Sequence, residues 1–200
     1  MTDGNEPPTP KGQLSRLRLL DAGIERMRAS GLSGAGINEV VKASGAPKGS
    51  VYHFFPGGKD QLVTEALALY AERVRTFMVD AMDGARTPER RVLALFDAFA
   101  RRLEAADCLR SCAAGAVSLD LDEASLGLRT PVASAFEIWR EAIADGLGWV
   151  DRRRARSFAG LVLSAIEGAY IRGRAEGSAQ AFREAGRWLA PLAASEAVTP

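Results

Sequence analysis

GINEVVKASGAPKGSVYHFFPGGKDQL, residues 36–62, sets a short apolar-faced segment, a Ser-Gly turn, a second short segment with a Tyr-His pair, and a glycine-lysine step in unbroken succession. Ile37, Val40 and Val41 stand at i, i+3 and i+4, so three branched side chains share one helix face and need a core to pack against. Ser44-Gly45 supplies the stop, because glycine reaches the left-handed conformation that ends a helix without a Cβ clash. Pro47 suits a first helical position, where its missing N–H would have been unpaired in any case. A second helix over 47–54 follows, with Val51 and one or both of Phe54 and Phe55 turned inward, which leaves Lys48, Ser50, Tyr52 and His53 for a partner. Two short helices in this order read as a helix-turn-helix, and the second is the one expected in the major groove of DNA.

Charge gathers on the same stretch. The whole chain is nearly balanced at +1, but residues 11–60 hold eight bases (Lys11, Arg16, Arg18, Arg26, Arg28, Lys42, Lys48, Lys59) against four acids (Asp21, Glu25, Glu39, Asp60). A local excess of positive charge at the motif suits phosphate contact, which releases counterions and makes binding salt-dependent. Lys48 taken alone reads equally well as a solvated surface charge. The near-neutral remainder argues against a second nucleic-acid surface.

SGAPKGSVYHFFPGGKDQL resembles the recognition half of TetR-family transcriptional repressors, and its PKGSVYHFFPGGK form resembles the LmrA/YxaF-like branch. The resemblance implies that Tyr52 clamps a phosphate, that Lys59 binds phosphate at the start of the fourth helix, and that Lys48, Gly49, Ser50 and His53 face DNA. Two departures from the family pattern stand out. Gly34-Ala35-Gly36 places no Ser or Thr where a side-chain oxygen would cap the second helix, leaving Ser33 and Asn38 nearest. Gly49 has no side chain to read a base edge, so base readout leans on its neighbours.

Further out, the chain reads as helix after helix. Leu17, Leu20, Ile24 and Met27 step by three and four, which predicts a first helix over 14–30 ending at Gly31. From Lys59, the series Leu62, Ala66, Leu69, Tyr70 and Phe77 predicts a long fourth helix to about residue 83. Thr87-Pro88 looks like a cap followed by a first-position proline, and Val92, Phe96, Phe99 and Leu103 continue on one face of a fifth. A short sixth helix over 112–121 precedes a seventh marked by Val132, Phe136, Trp139, Ile143 and Leu147, with Pro131 starting or kinking it. Asp151 and Ser178 are candidate caps for two more. Alternating strand patterns are absent. The expected architecture is all-α with about nine helices: a three-helix head over 14–58, joined through a long fourth helix to a body over 59–200 that binds ligand and dimerises.

The body offers two further readings. In the eighth segment Phe158, Leu161, Val162, Ala165 and Ala169 belong to a double apolar column, broader than one neighbour needs, and Phe182 and Leu189 share a face of the ninth. Such helices either close a two-fold dimer, as the resemblance implies, or complete the core of one subunit. The resemblance also implies a small-molecule pocket among the middle helices, with Phe96, Phe99, Cys112, Phe136, Trp139, Glu167 and Tyr170 as candidates. Glu167 sits inside the apolar run LVLSAIEGAYI, where an unpaired charge costs several kcal/mol or moves its pKa, so it answers either a polar ligand group or a buried partner such as Arg172.

Cys108 and Cys112, four apart, would share a face if helical, which keeps a thiol-based redox sensor open as an alternative. With one distant His53 they cannot complete a tetrahedral metal site, and no cofactor is expected. SCAAGAVSLDL resembles the GCP-type segment of the LmrA/YxaF-like branch, with Ala113 where proline is common. An enzyme is disfavoured, because there is no glycine-rich phosphate loop followed by Lys-Ser/Thr and no histidine cluster. Asp120, Asp122 and Glu123 read as a solvated turn. Residues 1–13, polar and proline-rich, read as a flexible arm without the apolar core of a secretory signal, and no run approaches a membrane span, so a cytoplasmic protein is expected.

Overall fold

The fourth helix is the axis of the molecule. In the computed structural model, which describes residues 10–198, α4 (Gly58–Met82) packs against α1 at one end and against α5 and α7 along the rest. Nine buried side chains on it, from Leu62 through Tyr70 to Met82, face both groups of neighbours, which explains why its apolar surface is too broad for a single stripe. The head comprises α1 (Pro10–Gly34), α2 (Ile37–Ser44) and α3 (Lys48–Phe54). The body adds α5 (Pro88–Glu104), α6 (Ala113–Leu119), a 3-10 turn (Glu123–Leu128), α7 (Arg129–Leu147), α8 (Arg152–Glu176) and α9 (Gln180–Val198). No strand occurs among the described residues, and the architecture is all-α with nine α-helices there.

The local signals for helix ends take physical form. Thr87 caps α5 by accepting from the Arg90 N–H at 3.3 Å, with Pro88 in the first turn. Asp151 accepts from the Arg154 N–H at 3.0 Å and starts α8, and Ser178 accepts from the Gln180 N–H at 3.1 Å ahead of α9. Pro131 falls in the first turn of α7, where no intrahelical donor is needed, and does not kink it. Trp139 fixes α7 on α4 by donating its indole N–H to the Ala71 carbonyl at 2.8 Å.

Four expectations change. The first helix begins at Pro10 rather than Leu14, so residues 10–13 of the expected arm are helical and the rest of that arm lies outside the described residues. Its apolar face also differs, because Leu17 is exposed while Leu19 and Leu20 are buried. The acidic segment after α6 is built rather than loose. Asp122 and Ser125 form a reciprocal capping box that starts the 3-10 turn, and Asp120 accepts a hydrogen bond from the Leu32 N–H in α1 at 2.8 Å. Finally, Cys108 and Cys112 share no helix. Cys108 lies in a turn after α5 with φ 56°, and Cys112 is the N-cap of α6.

Candidate nucleic-acid interface and the faces of the body

The helix-turn-helix is assembled from the two ends of its turn. Gly45 ends α2 in the left-handed region, φ 67°, with its N–H on the Val41 carbonyl at 3.0 Å. Ser44 holds the bend, its hydroxyl donating to the Val41 carbonyl and accepting from the Ala46 N–H. Pro47 is the N-cap of α3 rather than its first helical residue. Val40, Val51 and Phe55 are fully buried where α2 packs on α1 and α3 on α2, and the Arg16 guanidinium lies 5.3 Å from the Phe55 ring centre. As expected, α2 starts on Gly36 without a side-chain cap, since the Ser33 hydroxyl turns back to the Ser30 carbonyl.

Anchored this way, α3 points a polar face outward. Lys48, Gly49, Tyr52 and His53 are exposed, and Ser50 is partly covered. A side chain at Gly49 would meet open space, so nothing in the protein requires glycine there. Lys59 sits in the first turn of α4, whose N-cap Gly57 supplies no side-chain oxygen; the Gly57 N–H is held instead by Gln61 Oε1 at 2.8 Å. The Gly58 N–H is taken by the Phe55 carbonyl at 2.8 Å, and Lys59 stands next to it at the positive end of the α4 dipole.

Ion pairing sharpens the charge argument. Arg16, Arg26, Arg28 and Asp21 of the head are engaged with Glu65, Glu39, Glu25 and Arg73. Among the described residues, Arg18, Lys42, Lys48 and Lys59 have no carboxylate partner. The cations left over for an outside anion thus include all three lysines of residues 36–62.

Of the candidate pocket residues, Phe99 and Tyr170 meet in an aromatic cluster with Phe182, at centroid distances of 5.0 to 6.0 Å. Phe136 and Trp139 meet in another with Tyr70. Phe96 stands apart, under Gly186 on the α5–α9 seam. Glu167 turns its carboxyl inward onto Cys112 and Gly115, not to Arg172, which pairs with Glu176 and Glu184. Burial raises the Glu167 pKa to about 7, with the Cys112 hydrogen bond opposing. The Cys112 thiol is pushed well above its ordinary value by burial and by Glu167, which disfavours the reactive thiolate. The Tyr170 hydroxyl is buried without a hydrogen-bond partner among the described residues. Phe96 also lines a cleft of about 460 Å³ between α5 and α9, with Leu93, Gln180 and Arg183; the other open space lies away from the candidates. A groove of about 750 Å³ between the far half of α4 and α7 is lined by Val79, Met82, Ile138 and Ala142, and by none of the candidate pocket residues.

The expected dimer residues divide in the same manner. Phe158, Val162, Ala169, Phe182 and Leu189 are buried within one chain and belong to its own core, which leaves them little surface for a partner. Leu161 is 51% exposed and Ala165 partly so. Leu192, which continues the expected apolar face of α9, is 48% exposed, and Trp188, 80% exposed, was missed by that pattern. Arg172 and Glu184, 3.5 Å apart, place the stripe through Leu161, Ala165 and Gly168 beside the one through Trp188 and Leu192.

A short helix ended by a left-handed glycine, followed by a second with an exposed polar face and by unpaired lysines, defines a helix-turn-helix DNA-binding protein. Residues 19–66 match the family described as bacterial regulatory proteins, tetR family, and residues 88–188 match the transcriptional regulator LmrA/YxaF-like C-terminal domain. The chain belongs to the tetR family of transcriptional regulators, in its LmrA/YxaF-like group, and is not an enzyme. It is 28% identical over 159 residues to the HTH-type transcriptional regulator LmrA of Bacillus subtilis, covering 78% of this chain and 85% of that one. An uncharacterized HTH-type regulator of Mycobacterium tuberculosis is 32% identical over 169 residues, 80% of this chain and 84% of its own. A TetR regulatory protein from Rhodobacter sphaeroides shares the fold with a TM-score of 0.79 at 21% identity, covering 89% of this chain and 98% of that one. No helix among the described residues is long and apolar enough to cross a membrane.

Proposed function

We propose that the protein is a cytoplasmic repressor that binds a palindromic operator as a homodimer and is released by a small-molecule effector. The observation that carries the reading is the exposed polar face of α3 beside the half-buried, unpaired Lys59 at the start of α4. Tyr52, Lys59 and the opening N–H groups of α4 take phosphates, while Lys48, Ser50 and His53 stand nearest the base edges and Gly49 lets the backbone approach. The two-fold contact uses Leu161, Ala165 and Gly168 of α8 with Trp188 and Leu192 of α9. An indole this exposed on a stripe of small and aliphatic residues is the kind of anchor that interfaces favour. The α4–α7 groove supports the effector site, because a ligand wedged there bears directly on the helix whose other end holds phosphate. Its reach is bounded by its differential affinity for the two head spacings. The thiol-based alternative is weaker, since Cys108 and Cys112 are both buried and Cys112 resists ionisation.

Selection of genomic fragments by the purified protein at near-physiological salt tests the reading. Enrichment of a palindrome, lost in Trp188→Glu together with the dimer, supports it. Salt-sensitive binding without sequence preference sinks it.

A further inference from the structure

The head is attached to the body twice, and the second attachment does not run through α4. Helix α1 is broken near its end, with Ser30 at φ −144° and Gly31 at φ 63°, ψ −155°. A break inside a helix leaves N–H groups without the partners a continuous helix would give them. The Leu32 N–H finds one in the Asp120 carboxylate, 88 residues further along the chain and 2.8 Å away. A local N-cap usually performs this service; here it comes from the end of α6. Upstream of the break, the Ser111 N–H donates to the Arg28 carbonyl at 2.9 Å, the Arg28 Nε–H donates to the Ser111 carbonyl at 3.3 Å, and Arg110 lies 3.5 Å from Glu25. Residues 110–120 therefore grip α1 on both sides of its bend. A Cβ at Gly31 would run into the Asp120 carboxylate, so this position needs glycine for space as well as for its positive φ. At its other end α6 is held against α8, where the Glu167 carboxylate occupies the room a side chain at Gly115 would need. Arg174 lines the same surface cleft as Asp120 but forms no ion pair with it among the described residues.

A single helix joining two bodies leaves rotation about its axis unopposed; a second contact away from that axis removes it. From this geometry we infer that Asp120 is a positioning residue for DNA binding: by capping the broken α1 it fixes the pose of the helix-turn-helix on the body and thereby the separation of the two α3 helices. The inference rests on the dimeric operator-binding reading for its consequence on DNA, while the cap itself concerns one chain.

The test uses full-length protein carrying Asp120→Ala or Asp120→Asn, the latter keeping an oxygen that can accept from Leu32. Nitroxide labels at exposed Ala43 in α2 and Glu89 in α5, diluted with unlabelled protein, report the head-to-body distance within one chain. Operators with lengthened and shortened half-site separations report the consequence on DNA. In Asp120→Ala the distance distribution widens, affinity for the optimal operator falls about tenfold, and the preference among separations flattens; Asp120→Asn restores most of each. A distribution unchanged in Asp120→Ala overturns the inference, as does a loss of affinity equal on all separations and not recovered by Asp120→Asn. If the wild-type protein selects no operator, the repressor reading fails by itself, and the distance measurement still decides the role of Asp120.

Discussion

The head and the body use polar groups in opposite ways. On α3, Lys48, Tyr52 and His53 stand in solvent, and Lys42, Lys48 and Lys59 have no carboxylate partner among the described residues. In the body two arginines near the start of α8 are tied across to α7, Arg152 to Glu141 and Asp145, Arg156 to Glu137 and Glu141. The hydroxyls of Tyr70 and Tyr170, the Cys112 thiol and the Glu167 carboxyl are instead turned into the interior. On the proposed reading, the exposed groups of α3 are left for the phosphates and bases of a nucleic acid. The body pairs or buries its own groups just named, and what it buries makes it sensitive to packing and to proton concentration. Substitutions in the body should change stability first, and those on α3 should change DNA affinity with little change in stability.

The largest effect tests the body half of that contrast. Trp139→Ala removes the indole hydrogen bond to the Ala71 carbonyl and the edge contacts with Tyr70 and Phe136, at a site 1% exposed. The expected loss is about 3–5 kcal/mol, read by denaturant unfolding. A loss below about 1 kcal/mol, within the range of ordinary surface changes, would break the claim that α7 is held on α4 through this residue.

Second comes Glu167. Its folded pKa, about 7, lies above its ordinary value, so its contribution to stability is complete below that ordinary value and is lost as pH rises through 7. Glu167→Gln should therefore gain on the wild type between pH 5 and pH 8, by on the order of 2 kcal/mol, since a tenfold change in proton affinity is worth about 1.4 kcal/mol and the stem of the side chain is partly exposed. Parallel stability curves for the two proteins over that range would show that the carboxyl is not held neutral against Cys112 and Gly115.

Why these two sites differed in legibility follows from range. The helix-turn-helix could be read because each of its devices is local: Ile37, Val40 and Val41 on one face, Gly45 ending α2, Tyr52 and Lys59 a few residues on. Thr87 and Asp151 were legible as caps for the same reason. Asp120 looked like a residue of a solvated turn because its partner, Leu32, is 88 positions away, and no local pattern marks such a pair. Burial in α8 and α9 shows the complementary limit. Periodicity shows that a helix has a broad apolar face, but Val162 and Leu161 carry the same signal, and only packing separates the buried one from the exposed one. Trp188 escaped because it lies off the stripe of Phe182 and Leu189 that does reach the core.

Turning to the head, Tyr52→Phe and Lys48→Ala should leave the unfolding midpoint unchanged, since both side chains are exposed and make no ion pair among the described residues. Loss of the Tyr52 hydroxyl should weaken binding on every DNA sequence by about 1 kcal/mol, whereas loss of Lys48 should redistribute preference among operators, by about 1–3 kcal/mol per altered base pair. Titration against an operator and its single-base variants separates the two. Equal losses on all variants from both substitutions would mean that Lys48 is a phosphate contact and that base readout lies with Ser50 and His53.

Gly49→Ala gives the smallest and most discriminating change. Within the protein an added methyl meets nothing within 4 Å, and the position lies inside α3, where alanine is the better helix former by about 1 kcal/mol. The free protein should therefore gain a few tenths of a kcal/mol up to that value. If the glycine serves the complex, by letting the α3 backbone come close to the groove, operator affinity should fall while stability rises, and the two measurements should move in opposite directions. Such a split separates head from body more directly than any of the larger effects, because a purely structural role for Gly49 would move both together. An operator affinity that stays level or improves in Gly49→Ala would remove close backbone approach from the docking scheme and leave Tyr52, Lys59 and the start of α4 to set the distance of α3 from DNA.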